Sequence, residues 1–153
     1  MANVKVSELT AASAAAGANE FEINEAGTSK KVTGTQIATG DLFVVVDVSD
    51  AAAVQRLADQ AQQSFGPVHV VFNNAGVGSG GLIWENTVRD WEWVLGVNVM
   101  GVAHGVRVFT PMMLEAAKKD PAYQGHIVNT ASMAGLLNAP NMGDYNVSKH
   151  AVV

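Results

Sequence analysis

Val68-His-Val-Val-Phe-Asn-Asn-Ala-Gly76 decides the architecture. Its first five residues make a short, largely β-branched apolar run, the composition of a buried strand in a parallel sheet. Asn73 and Asn74 can satisfy backbone groups freed at the strand end, and Gly76 lets a ligand approach the backbone closely. Upstream, Val54, Leu57, Ala58, Ala61 and Phe65 recur at helical spacing, predicting a helix over 51–65. Ser49 or Asp50 would cap it, and Gly66-Pro67 would stop it. Phe43 to Val46 reads as a buried parallel strand before that helix. Downstream, a long helix is expected from Thr87 to about Lys119. Thr87 with Asp90 fits a capping box, and Trp91, Val94, Leu95, Asn98 and Val102 share one face. Pro111 is expected to bend or end that helix, since it lacks a backbone donor. His126 to Asn129 reads as the third buried strand, and Asn141 or Asp144 starts a last helix. Strands alternating with helices in this way predict an α/β fold, its sheet mostly parallel with helices on both faces.

Composition narrows the function. The chain has 153 residues, a net charge of −5 and no cysteine. An acidic balance with few basic clusters argues against a nucleic-acid surface. Without cysteine there is neither a disulfide nor a thiolate metal site, and His104, His126 and His150 lack metal-ligand spacing. No run approaches the ~18 apolar residues of a membrane span. A cytoplasmic protein that engages no membrane and holds no metal is expected.

Residues 1–40 read differently. Val6 to Ala16 suggests a short helix capped by Ser7, and the stretch from Phe21 to Thr33 suggests a hairpin. Domain organisation is therefore expected as an N-terminal extension over 1–40 and an α/β domain over 41–153. Met1-Ala-Asn-Val-Lys-Val-Ser-Glu-Leu-Thr10, with Lys30-Lys-Val-Thr33 downstream, resembles the start of some phage tail or appendage proteins.

The chemistry concentrates late in the chain. Tyr145 and Lys149, four positions apart, lie on one face of a helix. An ammonium beside a phenol favours the phenolate, which suits the pair to acid–base work. Ser132 ends the run Gly125-His-Ile-Val-Asn-Thr-Ala-Ser132, where a hydroxyl at a strand end can bond a carbonyl oxygen. Asp47-Val48, Asn73-Asn74-Ala75-Gly76, Asn98, Ser132 and Tyr145-x-x-x-Lys149 together resemble the short-chain dehydrogenase/reductase family, in its order and near its spacing. The resemblance covers about residues 41–153 and implies a partial Rossmann-like, doubly wound fold.

That resemblance implies reversible hydride transfer between NAD or NADP and a small-molecule alcohol or carbonyl. Tyr145 would be the acid/base, Ser132 would hold the substrate oxygen, and Lys149 would support the tyrosine and bind the ribose hydroxyls. Asn98 would support a water-linked relay, although on general grounds a lone buried Asn is usually a satisfied core amide. Asp47, Val48, Asn74, Ala75 and Gly76 would meet the adenosine side of the cofactor, although Asp47 also reads as a helix-capping residue. A homo-oligomer is compatible with the family. Thr33-Gly-Thr-Gln-Ile-Ala-Thr-Gly40 fits T-G-x-x-x-[AG]-x-G, the family's glycine-rich loop. It lacks a preceding strand and the crossover that a parallel sheet needs, so it is not expected to bind phosphate. The family's later strands are also not evident, so three readings stand. These are a truncated, inactive dehydrogenase, a working enzyme with a reduced cofactor site, and a phage-like structural module fused to a dehydrogenase fragment.

Overall fold

The computed structural model describes residues 44–153. The expected N-terminal helix, the hairpin and the Thr33–Gly40 segment lie outside the described residues, as does Phe43. Val44 to Val46 form no strand, and Val45 is 40% exposed. This corrects the expectation for that run. An apolar β-branched sequence becomes a strand only where a neighbour completes its hydrogen-bond ladder, and that condition is not written locally.

Helix α1, Ala51–Phe65, forms at the expected bounds because its ends are set by local chemistry. The Asp50 carboxylate, rather than Ser49, accepts from the Ala52 amide at 2.8 Å. Gly66 ends the helix at φ 80, a backbone conformation costly for a residue with a Cβ. Val54 and Ala58 are buried, while Phe65 is exposed.

Strand β1, Val70–Asn73, pairs in parallel with β2, His126–Asn129, with Val71 opposite Ile127 and Phe72 opposite Val128. Side chains alternate across a sheet, and the burial follows: Val71 is buried, whereas Val70, Phe72 and Val128 are exposed. Both strands were expected to be buried. Among the described residues one face of this pair is packed and the other is open.

Between the strands run α2, Val88–Leu95, a π-helical turn, Gly96–Met100, and α3, Gly101–Lys119. Thr87 and Asp90 make the expected capping box, with the Thr87 amide and hydroxyl each 2.7 Å from the Asp90 carboxylate. The Thr87 side chain, and then its backbone amide, hold the Asp90 carboxyl below the usual carboxylate range. The π turn interrupts what the sequence predicts as one regular helix. Pro111 does not end α3, which runs on to Lys119. The carbonyl left without a donor is that of Arg107, an exposed residue, where water can replace the lost bond.

Helix α4, Gly143–Val152, is capped by neither Asn141 nor Asp144. Met142 precedes it, fixed by a parallel bridge to Gly81, and the Asp144 carboxylate is engaged inside the fold by Ser79. No helix among the described residues is long and apolar enough to cross a membrane. The result is an α/β fold with a parallel sheet, a partial version of the doubly wound type.

Candidate active site

Four elements meet around Tyr145: the segment after β1, the π turn, the segment after β2, and α4. Each contributes polar ties. At the π turn, Asn98 is 1% exposed. Its Oδ1 accepts from the Val77 amide at 2.8 Å, and its Nδ2 donates to the Val77 carbonyl at 2.8 Å and to Ser148 Oγ at 2.9 Å. An amide has two N–H donors, and here both are committed to the protein. Ser148 Oγ in turn donates to the Tyr145 carbonyl at 2.7 Å. Asn98 therefore clamps the residue after Gly76 to the helix that carries Tyr145 and Lys149. Its five-residue turn is a local widening of the helix, a device common at functional sites.

Lys149 is also buried, at 5% exposure. Its Nζ donates to the Thr130 carbonyl at 2.9 Å and stands 5.7 Å from the centre of the Tyr145 ring. Thr130 joins the ends of the two strands. Its amide donates to the Asn73 carbonyl at 3.0 Å, and its hydroxyl donates to Asn74 Oδ1 at 2.9 Å. Ser132 begins a 3₁₀ turn, Met133–Gly135, and its Oγ accepts from the Ala134 amide at 3.2 Å. That leaves the Ser132 hydroxyl proton available to a ligand. Ser132 and Tyr145 line one cavity of about 410 Å³, together with Met133, Leu137, Ala139 and Met142.

Close approaches hold this arrangement. A Cβ on Gly135 would lie 2.6 Å from the Lys149 carbonyl oxygen, so the 3₁₀ turn and α4 touch backbone to backbone. A Cβ on Gly78 would lie 3.3 Å from Tyr145 Cδ2, which puts that loop against the tyrosine ring. The Asp144 carboxylate, fully buried, accepts from Ser79 Oγ and from the Tyr145 amide, the latter at 2.7 Å.

The residues expected on the adenosine side divide into two groups. Val48, Asn74 and Ala75 line a second cavity of about 320 Å³ whose walls include Val54, Val71 and Phe109. Gly76 faces Asn98 and Lys149 instead, since a Cβ there would be 3.6 Å from both Asn98 Oδ1 and Lys149 Nζ. Asp47 is half-buried and immediately precedes the turn at Val48 and Ser49.

Residues 6–153 match the family described as short chain dehydrogenase. The chain belongs to this family. It shares 37% identity over 112 residues with a CLA biosynthesis dehydrogenase/reductase from Lactiplantibacillus plantarum, covering 73% of this chain and 37% of that protein. With an NADP-dependent (R)-specific alcohol dehydrogenase from Lentilactobacillus kefiri it shares 35% over 124 residues, covering 81% and 46%. A crystal structure of a short-chain dehydrogenase/reductase from Burkholderia phymatum in complex with NAD superposes with a TM-score of 0.66 at 63% identity, covering 70% of this chain and 36% of that one. The chain thus spans less than half the length of these relatives. The comparisons lend no support to a phage-like origin for the opening residues.

Against the family motif, sequence reasoning missed four residues: Thr130, Asp144, Ser148 and Gly78. Three of them look like ordinary polar positions at a strand end or on a helix. The sequence carries no sign that Asp144 and Ser148 point inward, because their partners are Ser79 and Asn98, 65 and 50 positions away.

Proposed function

We propose that this chain carries the catalytic part of an NAD(P)-dependent oxidoreductase acting on an alcohol or carbonyl. The observation that supports it most is the shared cavity: Ser132 and Tyr145 line one space, and Lys149 holds its ammonium beside the tyrosine ring.

The residues present fit a nicotinamide cofactor. Gly76 leaves open backbone next to Lys149, and the Lys149 ammonium has used one of its three donors on Thr130. Lys149 would take the ribose hydroxyls, while Asp47, Val48, Asn74, Ala75 and Gly76 would hold the adenosine side. When bound, the cofactor supplies or accepts the hydride. The protein's own work is orientation and proton transfer. In reduction Tyr145 Oη would give its proton to the carbonyl oxygen, and in oxidation it would take that proton back. Ser132 donates a hydrogen bond to the same oxygen. Lys149 places positive charge where negative charge develops on the phenol as its proton leaves. Asn98, through Ser148 and Val77, keeps these groups in register.

The test is titration of the chain with NADH and NADPH, following quenching of Trp84, Trp91 and Trp93 fluorescence. Saturable binding in the micromolar range, weakened at least tenfold by Lys149→Ala, is the expected result. No saturable quenching with either nucleotide would remove the reading.

A further inference from the structure

We propose that Asp144 is a positioning residue for Tyr145. Bonded through Ser79, it locks the loop after β1 onto the start of α4 and so fixes the tyrosine ring against Gly78. This rests on the acid–base role proposed for Tyr145 and adds to it a residue outside the Tyr145-x-x-x-Lys149 pair. Asp144 is fully buried. A buried carboxylate is costly unless its oxygens are bonded, and here each oxygen has its own donor. Oδ2 accepts from the Ser79 hydroxyl, and Oδ1 accepts from the Tyr145 amide at 2.7 Å. Ser79 Oγ in turn accepts from Asn86 Nδ2 at 2.9 Å. A carboxylate only accepts, so these bonds run in one sense, from Asn86 through Ser79 to the residue before Tyr145.

Neighbouring contacts extend the same seam. The Gly81 amide donates to the Asn141 carbonyl at 3.0 Å, Gly81 bridges Met142, and a Cβ on Gly143 would lie 2.8 Å from Ile83 Cδ1. At the other end, Gly78 meets the ring itself. A Cβ there would lie 3.3 Å from Tyr145 Cδ2 and 3.8 Å from Cε2 and Cγ. Gly78 against the ring and Ser79 against Asp144 are consecutive contacts between the same two stretches of chain, so the buried bond sets where the ring's neighbour lies. The Asn98 tie reaches α4 at Ser148, three residues past the tyrosine. Asp144 braces it from the residue before. Proton transfer needs Oη within hydrogen-bond reach of the substrate oxygen, and a ring held by packing and by bonded supports keeps that aim.

The experiment uses the full chain with ¹³C in its glycines and in its two tyrosines, Tyr123 and Tyr145. In the unaltered chain the Tyr145 ring protons should show a nuclear Overhauser cross-peak to the Gly78 α-protons. Ser79→Ala and Asp144→Ala should each abolish it. Asp144→Asn keeps an oxygen for the Tyr145 amide and a polar partner for Ser79, and should retain it. The Tyr123 ring signals should stay in place throughout, because that hydroxyl is tied to the Val68 carbonyl instead. A carboxylate that serves stability alone would lower the urea midpoint on removal and leave the cross-peak intact. That result would overturn the proposal, and Ser79→Ala decides it where Asp144→Ala does not fold. Loss of the cross-peak in the alanine variants of a chain that binds neither NADH nor NADPH would uphold the brace and overturn the oxidoreductase reading instead.

Discussion

At the scale of single residues, the site depends on atoms that have no room to be otherwise. Asn98 joins Val77 to Ser148 through three hydrogen bonds at 1% exposure. Removing one partner strands the others, at about 1–3 kcal/mol for each buried group left unpaired. Asn98→Leu should therefore lower stability by several such increments in urea denaturation, and should weaken nucleotide binding in the same protein. An unchanged urea midpoint would show that the clamp is dispensable. Gly105 is under a stricter constraint, because a Cβ there would fall 2.0 Å from Asn73 Oδ1, whose own Nδ2 donates to Asn129 at 2.8 Å. Gly105→Ala should cost about 1–3 kcal/mol and broaden the Asn73 and Asn129 side-chain amide signals in NMR spectra. Ser132, Tyr145, Lys149 and Asn98 could be named in the sequence because together they match the motif order of the family that it resembles. The fit of Gly105 to Asn73 could not, since it belongs to a helix and a strand that only folding brings together.

At the scale of elements, legibility followed locality. Helix α1 was readable at both ends because Asp50 and Gly66 sit at its boundaries, and the Thr87–Asp90 box marked the start of α2 for the same reason. Gly96-Val-Asn-Val-Met100 fits a regular helix as well as a π turn, so nothing local separated the two. Val44 to Val46 depart from the expected strand because a strand is defined by its neighbour. For α2, Thr87→Ala should cost about 1 kcal/mol, the usual value for a lost N-cap. The pH dependence has a definite sign. The Asp90 carboxyl is held below its ordinary value, so its contribution is present above the unfolded-state pKa and disappears as pH falls through the lower folded value. An NMR titration of the Asp90 side-chain carbon should show that low midpoint, and Thr87→Ala should return it toward the ordinary range. For α4, Gly135→Ala pushes the 3₁₀ turn away from the Lys149 carbonyl. It should perturb the Met133 and Met142 methyl signals together, whereas a purely local effect would move Met133 alone.

At the scale of the molecule, the described residues set the candidate acid–base group beside a short sheet. Among the described residues that sheet has two strands, with Val70, Phe72 and Val128 exposed on one face. Hydride transfer needs reacting atoms held at roughly 3–3.5 Å, while acid–base chemistry alone contributes about 10²–10⁴-fold. We therefore expect this polypeptide by itself to show no measurable NAD(P)H-linked turnover of alcohols or ketones, tested beside Tyr145→Phe. Turnover that vanishes in the variant would show that this polypeptide suffices for catalysis. The ties that build the site also set an order in time. Asn98 to Ser148, Ser79 to Asp144 and Asn74 to Thr130 span 50, 65 and 56 positions, and contacts of such separation close late, after the entropy of a long loop has been overcome. A chain leaving the ribosome would already have α1, α2 and α3 in hand while Asn98 still lacked Ser148. Until α4 emerges, that buried amide has no helix to hold, and a nascent chain paused before Gly143 would be an attractive client for a chaperone.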